Sequence, residues 1–191
     1  MGQKVSLIGE LREHLDLFER LSALSASVEA AARFVCESFR GDRKLMLCGN
    51  GGSAADSQHI AAELVGRFIA DRKPLAAVAL STDTSTITSV GNDYGFEEVF
   101  SRQVSGIGRA GDCLLAISTS GASRNVIRAA QAARAAGIRV IGLLGRDGGE
   151  LAGLCDVAIV VPSSTTARIQ EAHIFIGHTL CAMIEEALQG A

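Results

Sequence analysis

The chain has 191 residues, 48% of them hydrophobic and 20% charged, with 21 glycines and only two prolines, which is enough for one domain with its own core. A formal net charge of -3 without any basic run excludes a general nucleic-acid binder, whose phosphate contacts need clustered Lys and Arg. No apolar stretch approaches the length of a membrane span, and the opening MGQKVSLIGELREHLDLFERL lacks a leader-like apolar block, so a cytoplasmic protein without membrane contact is expected.

Leu7, Leu11, Leu15, Phe18 and Leu21 recur at spacings of three and four, which predicts an amphipathic helix; residues 28–39 suggest a second, so residues 1–40 are expected to be helical. Leu17 and Leu24 bring the apolar positions to more than one covered face needs. This segment is therefore expected to pack against other subunits as well as against its own sheet. Met1, Gly2 and Ser6 also fit a short acylation pattern, one that is common by chance.

From Lys44 onward, short apolar runs alternate with helical patterns. KLMLCG, AAVAL, DCLLAIS, RVIGLLG and DVAIVVP are unalternated, as strands buried on both faces are. Helices are predicted over residues 52–67, within 83–107, over 123–136, briefly near 149, and over 166–188. The alternation implies an α/β fold: a single domain over residues 1–191, with a parallel sheet, right-handed crossovers and helices on both faces. The five cysteines (Cys36, Cys48, Cys113, Cys155 and Cys181) lack C-x-x-C spacing and mostly lie in apolar runs, as reduced, packed thiols do.

Ligands of such a sheet gather at the carboxyl ends of its strands. Three loops meet that condition: GNGGS, STDTS and STSGAS. In the first, Gly49, Gly51 and Ala54 satisfy a dinucleotide fingerprint. A sugar phosphate could use the same exposed N–H groups and helix dipole. In the third, Ser118, Thr119, Ser120 and Ser123 can converge on one anion. A helix cap needs one hydroxyl, whereas this loop offers four with a glycine among them.

His59 and Glu63 stand at i and i+4, on one face of the helix after GNGGS. They fit an acid/base pair, half of a metal site, or an exposed helix pair. On the last helix Gln170, Glu171, His173 and His178 interrupt an apolar surface, and spacing would pair Gln170 with His173 as readily as with His178, because eight residues rise about 12 Å and turn about 80° off one face. Asn92 and Asp93 lie beside a glycine turn, as capping residues or as groups reaching a sugar hydroxyl.

Taken together, CGNGGSAADSQHIAAELVGRF, GNDYGFEEVFSRQV, GDCLLAISTSGAS and RIQEAHIFIGH closely resemble the phosphoheptose isomerases, the sedoheptulose 7-phosphate isomerases of the sugar isomerase (SIS) domain superfamily. The resemblance covers nearly the whole chain, with the motifs in the same order. It implies a cytoplasmic homotetramer with active sites at subunit contacts, converting sedoheptulose 7-phosphate to D-glycero-D-manno-heptose 7-phosphate for lipopolysaccharide or another bacterial glycan. Carried over residue by residue, Glu63 is the general base and His178 the acid. One zinc ion per subunit is held by His59, Glu63, Gln170 and His178. The phosphate lies in Ser118, Thr119, Ser120 and Ser123, while Asn50, Gly51, Gly52, Ser53, Asn92 and Asp93 complete the sugar site, joined by Glu63 and Gln170. Some members carry an acidic residue where this chain has Ala167, so no contact is carried over there.

A sugar phosphate also accounts for both loops. The first acid after the next strand is Asp83, well beyond the usual dinucleotide offset of about 20 residues, and STSGAS has no role in a dinucleotide site. Two further readings come from relatives of another kind. A non-catalytic SIS protein that binds the replication initiator would lack the acid/base residues retained here, and a phosphosugar-sensing regulator would need a DNA-binding module for which the chain has no room.

Overall fold

The computed structural model describes residues 5–189. Met1 and Gly2, on which the acylation pattern rests, lie outside them; Ser6 caps the first helix, its Oγ accepting the Gly9 N–H at 3.1 Å. That helix, α1 (Leu7–Arg20), continues through a 3-10 turn (Leu21–Leu24) into α2 (Ser25–Arg40). Then follow β1 (Leu45–Cys48), α3 (Gly52–Val65), β2 (Ala77–Ala79), α4 (Thr84–Tyr94), α5 (Ser101–Ile107), β3 (Cys113–Ser118), α6 (Arg124–Ala135), β4 (Arg139–Gly145), the short α7 (Gly149–Ala152), β5 (Val157–Val161) and α8 (Thr166–Leu188).

All five predicted strands form, each within its apolar run. The segment 83–107 divides: Asp83 caps α4 by accepting the Thr86 N–H, and Gly95, at φ 91°, breaks the helix before a 3-10 turn and α5. Aspartate and glycine are the residues that start and stop helices for these reasons.

The strands are parallel in the order β2-β1-β3-β4-β5. Successive strand residues point to opposite faces, and two cores result. Leu45, Leu47, Leu115, Ile141 and Leu143 pack with α1, α2, α3 and α8. Met46, Leu114, Ala116, Val140 and Leu144 pack with α5 and α6 on the other side. The chain leaves β1 for β2 on one side and resumes with β3 on the other, so the connection reverses between β1 and β3. That reversal opens a crevice at the strand ends, and the loops GNGGS and STSGAS flank it.

Along α1 and into the turn after it the apolar side chains divide between two directions. Leu17 and Leu21 are buried in the core, whereas Leu7, Ile8, Leu11 and Leu15 form an exposed stripe at 51–84% accessibility. All five cysteines are unpaired. Burial pushes the Cys48 thiol up to about 12 and the Cys113 thiol to about 11, which keeps both in the unreactive form.

Candidate active site

The first loop is built for close approach. A side chain at Gly52 would run into the amide of Gln170 from α8, so glycine there lets the two helices meet at the start of α3. Asn50 does not offer its side chain freely. Its amide pairs reciprocally with that of Asn125 on α6, Nδ2 to Oδ1 at 2.9 and 2.8 Å, tying the two loops together. Ser53 is buried in the first turn of α3, where its N–H bonds the Asn50 carbonyl.

In the second loop, Ser118 is buried at the end of β3, accepts the Gly121 N–H at 3.1 Å and shares a hydrogen bond with Ser123 Oγ at 3.0 Å. Either hydroxyl can donate in that pair, and with Ser118 donating to Ser123 Oγ the Ser123 proton is left for another acceptor. Ser120 Oγ accepts the Ala122 N–H. Gly121 has φ +64°, and a Cβ on it would collide with the Gly148 carbonyl. The turn 146–149 therefore packs directly against this loop, and the Leu151 N–H bonds the Gly121 carbonyl. The first N–H groups of α6 complete an anion-seeking concavity.

The ionisable cluster lies elsewhere. Gln170 meets Gly52 and His178 meets His59, so α3 and α8 run side by side in the same direction. His59 Nε2 and His178 Nε2 stand 2.8 Å apart, and His59 Nε2 is 3.4 Å from Glu63 Oε1. One ligating atom from each of His59, Glu63 and His178 falls within 4.8 Å of the others. Two imidazole nitrogens and a carboxylate are a donor set that zinc accepts. Phe68 leans on His178, ring centroids 5.6 Å apart.

Of the four-residue metal set expected from the resemblance, His59, Glu63 and His178 come together here. Gln170 precedes His178 by eight residues, about 12 Å of helix rise, and its amide stands against Gly52. His173 separates from His178 as well. It is fully buried and its Nε2 bonds the Leu144 carbonyl at 3.0 Å, while Nδ1 has no partner. Burial pushes its pKa down to about 4; it is a neutral core histidine.

Asn92 and Asp93 sit at the exposed end of α4, where Asn92 Nδ2 donates to Asp93 Oδ1 at 2.7 Å. Among the described residues they bond neither loop nor the ionisable cluster. Ala167 is exposed in the first turn of α8.

Two neighbours of the site were not singled out in the sequence. Asn125 is the partner of Asn50. Asp56 lies one turn before His59, its Oδ2 buried without a hydrogen-bond partner; burial raises its carboxyl to about 6, with His59 pulling the other way. The spacing of positions 56, 59 and 63 at i, i+3 and i+7 was the available signal for Asp56. For Asn125 there was none.

With this geometry in hand, the comparisons with known proteins are specific. Residues 11–145 match the SIS domain family. A phosphoheptose isomerase of Nitratiruptor sp. is 57% identical over 179 residues, 93% of this chain and 96% of the relative. The solved phosphoheptose isomerase of Neisseria gonorrhoeae superposes with a TM-score of 0.90 at 46% identity, covering 94% of this chain and 97% of that one. The Francisella tularensis counterpart gives 0.92 at 36% identity, covering 94% and 96%.

Proposed function

The chain belongs to the phosphoheptose isomerase family of SIS domain proteins, and we propose that it converts sedoheptulose 7-phosphate to D-glycero-D-manno-heptose 7-phosphate through an enediol. That product would enter ADP- or GDP-heptose synthesis for lipopolysaccharide or another bacterial glycan. The observation that carries the chemistry is the convergence of His59, Glu63 and His178 from two parallel helices. Relatives of this identity are isomerases by name, which leaves the initiator-binding alternative without support.

Moving a carbonyl between adjacent carbons requires a base for a carbon-bound proton and an acid for oxygen. Glu63 takes the first role and His178 the second. The His59–His178 contact keeps a proton donor and acceptor side by side, and His59 orients the His178 ring. Ser118, Thr119, Ser120 and Ser123 hold the phosphate; Asn50, Gly51, Gly52, Ser53 and Gln170 line the sugar from the same end, and Asn92 and Asp93 reach it from α4. Zinc, one ion per subunit, is the metal proposed for the cluster. His59, Glu63 and His178 would hold it, and when bound it supplies Lewis-acid polarisation of the substrate carbonyl.

Helix rise also bears on assembly. Gly52 and Glu63 are separated by eleven residues, about 16 Å along α3, and a site shared between subunits would bring the loops of one chain to the Glu63 and His178 of another. The exposed stripe of Leu7, Ile8, Leu11 and Leu15 supplies an apolar surface for such a contact. We read the protein as a cytoplasmic homotetramer with shared sites. Removing residues 1–25 should give a smaller and inactive species in analytical ultracentrifugation; a fully active truncated tetramer would contradict this assembly.

The function itself is tested by incubating purified protein with sedoheptulose 7-phosphate, following the aldose by proton NMR and measuring bound zinc in the same preparation. Aldose formation with near-stoichiometric zinc is expected. No aldose from folded, zinc-supplied protein would overturn the reading.

A further inference from the structure

α3 carries His59 and Glu63, and α8 carries His178, so whatever fixes these helices relative to each other fixes the acid/base geometry. Past Val65 the chain turns away toward β2. Arg72 reaches back from that segment to the end of α3. Its Nη2 donates to the Glu63 carbonyl and its Nη1 to the Leu64 carbonyl, both at 2.8 Å; carbonyls of a last turn have no partners of their own within the helix.

The same guanidinium donates through Nε to Glu185 Oε2 at 3.1 Å. Glu185 is buried on α8, seven residues after His178 and on the same helix face. Its carboxylate also accepts the N–H groups of Phe68, Ile69 and Ala70 at 3.1, 3.0 and 2.8 Å. These bonds, that from Ala70 foremost, hold its carboxyl below the usual range. Phe68, anchored in this way, is the residue whose ring leans on His178.

We infer that Arg72 and Glu185 form a buried clamp that joins the end of α3 to α8 and holds Glu63, Phe68 and His178 in the arrangement the isomerisation needs. The inference rests on the function proposed above. Neither residue belongs to the ionisable cluster; both are positioning residues. A buried ion pair is a poor source of net stability, because desolvation offsets the attraction. Here the pair links the Glu63 and Leu64 carbonyls on one side to the Phe68, Ile69 and Ala70 amides on the other, and misplacing reacting groups by about 1 Å is enough to slow turnover about 100-fold.

The test uses the full-length protein with Arg72→Met, Arg72→Lys and Glu185→Gln. Sedoheptulose 7-phosphate should bind each variant with wild-type stoichiometry in calorimetry, while kcat falls roughly 10- to 100-fold. Full stoichiometry excludes a mere loss of folded protein. In histidine-labelled samples the ring-proton signals of His178 should move, because the ring current of Phe68 is lost, and those of His14 should stay in place. Wild-type kcat in the folded variants, or unmoved His178 signals, would overturn the clamp. Should Arg72→Met fail to fold, Arg72→Lys and Glu185→Gln carry the same two readouts. If the wild type itself makes no aldose, the functional reading fails, while the His178 signals still decide whether the pair positions that ring.

Discussion

The two halves of the candidate site are made in different ways. The loops GNGGS and STSGAS are local: each is a strand end, a few small residues and a helix start, and their polar groups already bond one another, as in Ser118 with Gly121 and Ser123. The ionisable cluster is long-range. His59 and His178 are 119 residues apart in sequence and meet only because α3 and α8 pack in parallel. In the proposed reaction a preformed loop would grip a constant group, the phosphate, at little reorganisation cost. The cluster would instead exchange protons, and its side chains are left half-buried to exposed. Damage to the loops should therefore appear in binding, and damage to the cluster in turnover.

The largest effect is expected in the cluster. His178→Gln removes the proposed acid, and kcat should fall about 100- to 10,000-fold with the sugar phosphate still bound. A loss confined to KM would erase the distinction between the two regions. The complementary change, Ser120→Ala with Ser123→Ala, removes two hydroxyls from the proposed anion site. Charge-assisted hydrogen bonds contribute about 1.5–3 kcal/mol each, so steady-state kinetics should show KM raised at least tenfold and the melting temperature nearly unchanged. An unaltered KM would remove the phosphate from this loop.

A smaller effect separates the two histidines of α8. His173 has a folded pKa of about 4 against an ordinary 6.5, so its neutral form is the one that the native state accommodates. The associated stability is fully present above pH 6.5 and is lost as pH falls toward 4, about 3 kcal/mol in all at about 1.4 kcal/mol per pH unit. Urea unfolding between pH 7 and 4 should show this decline. His173→Gln, which keeps a donor for the Leu144 carbonyl but cannot take up the proton, should flatten it. Parallel profiles for the two proteins would contradict the assignment of His173 to the core.

The same contrast explains what could be read before the structure. Strands were legible because unalternated runs such as LMLC and RVIGLLG fit burial on both faces, and the hydroxyl loop because its four side chains fall within six residues. His59 and Glu63 were legible as a pair because they share one helix. Which residue of α8 would face them was not: helical spacing gives an angle on α8 but not the helix that packs against it. Gln170, His173 and His178 consequently looked alike, and the structure sends them to the Gly52 turn, the core and the cluster in that order. The Asn50–Asn125 amide pair and the Arg72–Glu185 clamp were hidden for the same reason, since each joins segments that only tertiary packing brings together.

The central claim is that Glu63 removes the carbon-bound proton. Glu63→Gln keeps the size of the side chain and loses its basicity, and calorimetry with sedoheptulose 7-phosphate beside a turnover assay on the same sample tests it directly. Near-wild-type binding with turnover reduced about 1,000-fold or more is the predicted result. A Glu63→Gln enzyme that binds and turns over normally would place the proton transfer elsewhere and contradict the mechanism.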